Sequence, residues 1–512
     1  MSKKDRETVD QLRNAPEIDF DAFNDRVREE AKFIKRELSE GTFDNSQRAL
    51  GLEHEFYAVD RETTKLRRVP RSLLSSLGFE RELGLHNAEL NTGVQPHTAP
   101  GIEALLQDVE AKVDAIDREA AAHGLRLVSD GMWTIGPEHH EAARYLTQAT
   151  HEEGLVLSIN VSNAVRYHGF ASGGREINCT IDVPGVTLEP SEPGAVSLTT
   201  SIQPHFQLRR ANDLPERFGA ALRVAGPLLA LAVNSPFFPP SLYDAPNPDR
   251  QTLLEEAHAE NRISVYEQMM NPIDRSRKVR FPKDIDRIEQ AVDRIVADPV
   301  LVPAAIDAGE RFDDEFVHFR HQHGSFWRWI RPVFDGATED AANARIEFRP
   351  LAAQPTLRDT GALLAAVAGL LVAVPEREHP IADLSWEAAR DNFYLAADDG
   401  LEAELTWISA DGDRTNDSDR LFTELLDLAT DGLQLQGFDR KTAANVIAPL
   451  RGRVDRGVTP AEWKRRAVAA RLDAGSDPKE AIHGMQRAYV DRQQATFFDG
   501  RLDEWPVPGS QP

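Results

Sequence analysis

Three stretches of the chain alternate apolar and polar residues with period two, the pattern of a strand with one greasy and one polar face. In Gly51–Asp60, Leu52, His54, Phe56 and Ala58 share one face, and Glu53, Glu55 and Tyr57 share the other. In Ser201–Leu208, Ile202, Phe206 and Leu208 alternate with Gln203, His205 and Gln207. In Arg345–Leu351, Ile346 and Phe348 alternate with Arg345, Glu347 and Arg349. A further strand, His86–Thr92, sets Asn87, Glu89 and Asn91 on one face.

Helical spacing accounts for much of the rest. Phe23, Val27, Ala31, Ile34 and Leu38 make Phe20–Leu38 amphipathic. Ile102, Leu105, Val109, Val113 and Ile116 do the same for Pro100–Ala122, and Leu125–Ser129 returns as a strand. Strand, long helix and returning strand imply an α+β fold with helices packed on a sheet. Leu214–Leu231 and Thr360–Val374 read as helices, the latter stopped by Pro375. Residues 384–505 read as helical throughout apart from a polar loop at Asp411–Asp419. The divisions that follow are an N-terminal helical segment 1–47, a sheet-bearing region 48–375, a helical C-terminal region 376–505 and a tail 506–512. Thr134–Val196, dense in Gly and Pro, reads as an insertion at the rim of the site. The apolar runs Ala220–Phe238 and Gly361–Val374 are too interrupted or too short for the roughly 20 residues that span a bilayer, so both are expected to be buried in a soluble protein.

Charge narrows the function classes. The 512 residues carry 84 acidic and 59 basic side chains, a net charge of −25. Such a balance argues against nucleic acid as the main partner, which needs a basic footprint. It suits a protein kept soluble in a salt-rich, halophile-like cytoplasm. The single cysteine, Cys179, excludes an intrachain disulfide and a cysteine-cluster metal site. The first residues lack the apolar core of a signal peptide, and the expected location is cytoplasmic. No P-loop and no Rossmann fingerprint is present.

Two carboxylates on one strand face, Glu53 and Glu55, suit either a solvated face or a divalent cation, since hard cations take carboxylate oxygens. Repetition of the design on further strands favours a concave polar surface for metal ions and a polyanion. Arg262, Arg275, Arg277, Lys278 and Arg280 form a local basic cluster, either a phosphate or carboxylate clamp or a set of surface ion pairs. His318, His321 and His323 lack the acids or cysteines to complete a zinc set in an extended segment. In Trp327-Arg328-Trp329, an Arg beside aromatics can stack on a purine or hold a carboxylate, while core packing is the competing role for the Trp residues.

The segments G-L-E-H-E-F, N-A-E-L-N-T, T-S-I-Q-P-H-F-Q, V-N-S-P-F-F, W-R-W-I-R-P and R-I-E-F-R together resemble the carboxylate–amine ligases of the glutamate–cysteine ligase superfamily, over roughly residues 48–375. The resemblance implies a glutamine-synthetase-like antiparallel active-site sheet flanked by helices, with 48–375 as the catalytic domain and a helical C-terminal extension. It also implies ATP and Mg²⁺, and ligation of glutamate or a similar acid to an amine such as cysteine. By the same resemblance Glu53, Glu55, Glu89, His205 and Glu347 are the metal ligands, and Gln203 or Gln207 completes a shell or binds substrate. Arg349, two residues beyond Glu347 and on its face, is the candidate for the γ-phosphate. Arg331 is the candidate for the substrate carboxylate, with Arg280 as a further cofactor contact. Two departures stand out. His54 replaces an acid common in relatives but lies on the opposite face, and the acid that relatives often carry before Ala353-Gln354-Pro355 is missing, which leaves the amine acceptor open. A phosphotransferase on the same sheet and a non-catalytic relative are the competing readings.

Overall fold

A computed structural model describes residues 19–76, 78–152, 155–162, 180–189, 193–271, 278–307 and 309–509. Cys179, Arg275 and Arg277 lie outside the described residues, as do residues 1–18.

The main sheet has eight strands: β1 (Ala49–Asp60), β2 (Phe79–Arg81), β3 (Asn87–Asn91), β4 (Gln95–Pro96), β5 (Leu125–Val128), β6 (Ile202–Gln207), β7 (Ile330–Asp335) and β8 (Asn343–Phe348). Their order is β7-β8-β6-β1-β3-β2, with β4 and β5 pairing to the two ends of β1, and every pairing is antiparallel. The long strand β1 is therefore the spine on which four others register. Its apolar face, with Leu52, His54, Phe56 and Ala58, is fully buried. Phe206 on β6 and Ile346 and Phe348 on β8 continue that face, also buried.

The principal helices are α1 (Phe20–Glu40), α2 (Ala99–Ala121), α3 (Leu214–Ala232), α4 (Asn261–Met270), α5 (Leu357–Glu376), α6 (Trp386–Asp399), α7 (Ser418–Leu435), α8 (Arg440–Arg456), α9 (Pro460–Asp473) and α10 (Pro478–Thr496). Their starts are capped as the sequence allows: Asp19, Thr98, Thr356, Asp417, Asp439, Thr459 and Asp477 each accept from a first-turn N–H. Helices α2, α3 and α5 pack on the sheet, and α7 and α8 pack on α5. One hydrophobic core runs from Phe23 to Trp505 and takes in the C-terminal helices. Helices α5 and α7 cross with their backbones in contact. A Cβ at Gly432 would stand 1.8 Å from the Gly369 carbonyl oxygen, and one at Gly369 would stand 2.2 Å from that of Ala429. Alanine at either place would force the helices apart and open the centre of the core.

Two expectations need correction. Pro375 does not stop the preceding helix, because α5 continues to Glu376. A proline there leaves the Leu371 carbonyl without its intrahelical donor. Arg217 Nη1 supplies the missing hydrogen bond, 2.7 Å from Leu371 O and 3.0 Å from Val372 O. The other concerns the C-terminal region, which is not helical throughout: Trp407–Ile408 and Arg414–Thr415 form a small antiparallel hairpin. At 20 residues α5 has the length and apolarity to cross a membrane, yet it lies buried among the other helices.

Candidate active site

The polar face of the sheet is assembled by register. Glu53 pairs with Gln203 on one side and Asn91 on the other, and Glu55 pairs with Glu89. His205 pairs with Glu347, which pairs in turn with Arg331. Side chains paired directly across antiparallel strands emerge on the same face, so the alternation read along each strand becomes one continuous surface. Two acidic groups result. Glu53, His205 and Glu347 bring ligand atoms within 4.8 Å of one another, and Glu55, Glu82 and Glu89 do the same. Glu82, just beyond β2, is absent from the set expected from sequence. Its only signal there was the pair of acids Glu80 and Glu82, two apart at the end of a three-residue strand.

Glu347 is the most constrained of these groups. Arg331 Nε donates to its Oε2 at 2.8 Å, and Arg349 Nη1 donates to its Oε1. Arg349 Nη1 also donates to Gln203 Oε1 at 2.6 Å, and Gln203 Nε2 donates to Glu55 Oε1 at 3.0 Å. A chain of hydrogen bonds thus links Arg331, Glu347, Arg349, Gln203 and Glu55. Burial works to raise the Glu347 pKa, but the two guanidiniums outweigh it and hold the carboxyl well below its usual range.

The second group behaves oppositely. Glu55 accepts from the Ser201 backbone N–H at 2.7 Å, yet burial, reinforced by the charge of Glu82, pushes its pKa up to about 8. Burial first, then Glu53, Glu82 and Glu55, raise Glu89 well above the ordinary carboxylate value. Carboxylates crowded in this way, with few cations to serve them, have the donor chemistry of a hard divalent ion. Each ionised carboxylate oxygen also keeps a second lone pair beyond the bond it now accepts. The carboxylates therefore fit a metal.

His205 fits under a condition. Its Nε2 lies 3.1 Å from Glu53 Oε1 without hydrogen-bond alignment, buried and with no other partner among the described residues. Its Nδ1 accepts from Arg345 Nε at 3.1 Å, which puts the proton of the neutral ring on Nε2. Binding a cation through Nε2 requires that proton to move to Nδ1 and Arg345 to turn away.

Two cavities flank the acids on this face. One is lined by Glu53, His205, Gln207, Asn343 and Arg345 and has a volume of about 230 Å³. The other is lined by Glu55, Glu82, Arg262, Tyr266, Trp329 and Arg349. Gln207 therefore belongs to the first and Gln203 lies between the two. Arg280 is not brought to either: its side chain is exposed and lines a separate cavity. The basic cluster is divided among several partners. Arg262 is buried against Glu260 at 3.2 Å, and Lys278 is buried against Asp298. Trp329 is buried and donates Nε1 to Glu267 Oε1 at 2.7 Å, so packing and the cavity wall are one role. His318, His321 and His323 sit on a short helix, Val317–His323, rather than an extended segment, and bond to Glu30, Val302 O and Pro332 O. His54 faces away from the acids, stacked 4.2 Å from the Phe56 ring centre with Nε2 2.8 Å from Ser129 Oγ.

Residues 49–494 match the family described as glutamate-cysteine ligase family 2. The chain belongs to that family. The match takes in the whole sheet and nearly all the C-terminal helices, and family membership makes the protein a carboxylate–amine ligase in kind. No curated protein matches the sequence. Among solved structures, the glutamate–cysteine ligase of Francisella tularensis in complex with AMP is similar at 12% identity and a TM-score of 0.47, over 91% of each chain. A bifunctional glutathione synthetase from Pasteurella multocida is similar at 13% identity and a TM-score of 0.49, over 91% of this chain and 55% of its own.

Proposed function

We propose that this family member is an ATP-dependent ligase joining the γ-carboxylate of glutamate to an amine through an acyl phosphate. One observation carries the reading: Glu347, set among Glu53 and His205, is gripped by Arg331 and Arg349, with a second acidic group beside it on the same face. A carboxylate is a poor electrophile because its leaving group would be oxide. Transfer of the γ-phosphoryl group breaks the Pγ–O bond to ADP and forms a C–O–P linkage. The amine nitrogen then attacks the acyl carbon and expels inorganic phosphate. Catalysis of such a transfer is chiefly positioning and charge neutralisation.

Glu53, Glu55, Glu89 and Glu347, with Glu82 added and His205 once its proton has shifted, would hold Mg²⁺, which supplies charge neutralisation for the triphosphate. Arg349 stands between Glu347 and Gln203 and is the donor for the transferring phosphoryl oxygens. Arg331 holds Glu347 through Nε and gives Nη1 to the His323 and Phe326 carbonyls, lining neither cavity as it stands. It is the candidate for a substrate carboxylate at the same edge of the sheet. The cavity of Arg262, Tyr266 and Trp329, about 30 Å³ as it stands, has to open to take the acid and the amine, and that of Gln207 and Arg345 takes the nucleotide. Gln207 is an amide available to the nucleotide there, beside Asn91 and Asn343. The acidic balance of the chain supports a cytoplasmic protein.

The test is purified protein with ATP, Mg²⁺, glutamate and a panel of amines, followed by mass spectrometry. ADP, phosphate and a γ-glutamyl amide are expected. A phosphorylated substrate with no amide would make the protein a phosphotransferase, and no ADP with any pair would overturn both.

A further inference from the structure

Arg280, which sequence placed in the cofactor site, points instead into a cavity of about 380 Å³ on the other side of a shared wall. The wall consists of two extended segments, 278–281 and 326–330, bridged at Arg280 and Arg328. Val279, Trp327 and Trp329 face the candidate active site, whereas Arg280, Phe281, Phe326 and Ile330 face the second cavity. Arg328 borders both.

The lining of this cavity is unusual for a chain of net charge −25. Arg280, Lys283, Arg294 and Arg390 contribute cations. The acid in the lining, Asp298, is already held by Lys278 and by Arg328 at 2.7 Å. Arg294 is committed to the carbonyls of Lys283 and Asp284, and Arg390 to Asp391 at 2.7 Å. Arg280 and Lys283 are exposed and enter no ion pair among the described residues. Beside them the partly exposed Trp386 and the edges of the buried Phe281 and Phe326 form an aromatic wall, with the Arg328 guanidinium 4.3 Å from the centre of the Phe326 ring. Lys283 Nζ stands 5.1 Å from the centre of the Trp386 ring and the Arg390 guanidinium 5.2 Å from it. The volume is in the range of small-molecule sites, roughly 300–1,000 Å³, and combines an apolar wall with a few convergent polar groups.

We propose that this cavity is a second binding site, distinct from the candidate active site, for a small amphipathic anion: a phosphate or carboxylate head on Arg280 and Lys283 with a flat apolar group against Phe281, Phe326 and Trp386. Two exposed cations, in no ion pair among the described residues, serve the head, and the aromatic wall serves the remainder. The inference does not depend on which reaction the other cavity performs.

The probe is phenyl phosphate, titrated calorimetrically into the full chain with and without a saturating non-hydrolysable ATP analogue and Mg²⁺. Saturable binding is expected under both conditions. Arg280→Ala/Lys283→Ala, both exposed and therefore tolerated by the fold, should weaken it about tenfold or more, the loss that follows removal of charged hydrogen-bond donors. Unchanged affinity in the double variant, loss of binding under the nucleotide analogue, or no saturable heat would each overturn the proposal. Phenol serves as the neutral comparison. Phenol binding as tightly as phenyl phosphate would show an apolar pocket rather than an anion site and would also overturn it.

Discussion

Glu55 and Glu89 stand directly opposite each other across β1 and β3, two carboxylates in one antiparallel pair. Like charges in that position destabilise a sheet. The fold retains them where burial and neighbouring acids raise both pKa values, so each leans toward its protonated form in the absence of a cation.

Glu89→Gln copies the shape of the protonated acid. The variant should therefore fold as stably as wild type, within about 1 kcal/mol, when divalent ions are removed with chelator. Addition of Mg²⁺ should raise the unfolding temperature of wild type and raise that of Glu89→Gln much less. Thermal unfolding with EDTA and with a Mg²⁺ series checks this. An equal rise in both proteins would remove Glu89 from the metal set.

Arg349→Lys keeps the charge but loses the planar fork that spans Glu347 and Gln203. If Arg349 serves the transferring phosphoryl group, kcat should fall about 10²–10³-fold, the typical loss for a transition-state donor, while the KM for ATP moves little. Steady-state ADP release measures both. A change confined to KM would make Arg349 a ground-state contact.

The strands that build the site were legible because each is long enough to show period two and has one face in the core. Leu52, Phe206 and Ile346 reported that face, and Glu53, His205 and Glu347 the other. Glu82 was hidden because it follows a three-residue strand too short to show a period. Arg280 was misplaced because a basic cluster in sequence says nothing about which side of a wall each residue takes. Lys278 and Arg280, two apart, have different fates, one buried against Asp298 and the other exposed. The extent of α5 was missed because its last turn depends on Arg217, more than 150 positions away (159 from Glu376).

Buried histidines make stability depend on acid. His97 is buried edge-on to Phe206 and Phe438, and neither ring nitrogen has a hydrogen-bond partner among the described residues. Burial, aided by the charge of Arg48, lowers its pKa from 6.5 to about 3. Between those values the unfolded chain binds a proton that the folded chain refuses, so stability is fully present above 6.5 and falls as pH drops toward 3. The slope from this residue is at most about 1.4 kcal/mol per pH unit. His97→Phe removes it. Urea midpoints at pH 7, 6 and 5 should show the variant gaining on wild type at each step down. A gap that stays constant with pH would mean that His97 is not held neutral.

Arg217 and Pro375 form the pair most open to a double-mutant cycle. Arg217 Nη1 serves the Leu371 and Val372 carbonyls, and Nη2 lies 2.8 Å from Glu376 Oε1. Arg217→Met keeps the apolar stem but leaves the Leu371 carbonyl, buried in α5, with neither its helical donor nor its substitute. The expected cost is about 2–4 kcal/mol, from an unsatisfied buried acceptor together with the lost charged bonds. Pro375→Ala restores an N–H at the position that serves Leu371 in a regular helix. In the Arg217→Met background it should recover about 1–2 kcal/mol of that loss. In the wild-type background the gain should be smaller, since the acceptor is already engaged. Chemical unfolding of the four proteins gives the coupling. Strict additivity would mean that Arg217 stabilises α5 only through Glu376, and the role assigned to the Leu371 carbonyl would be wrong.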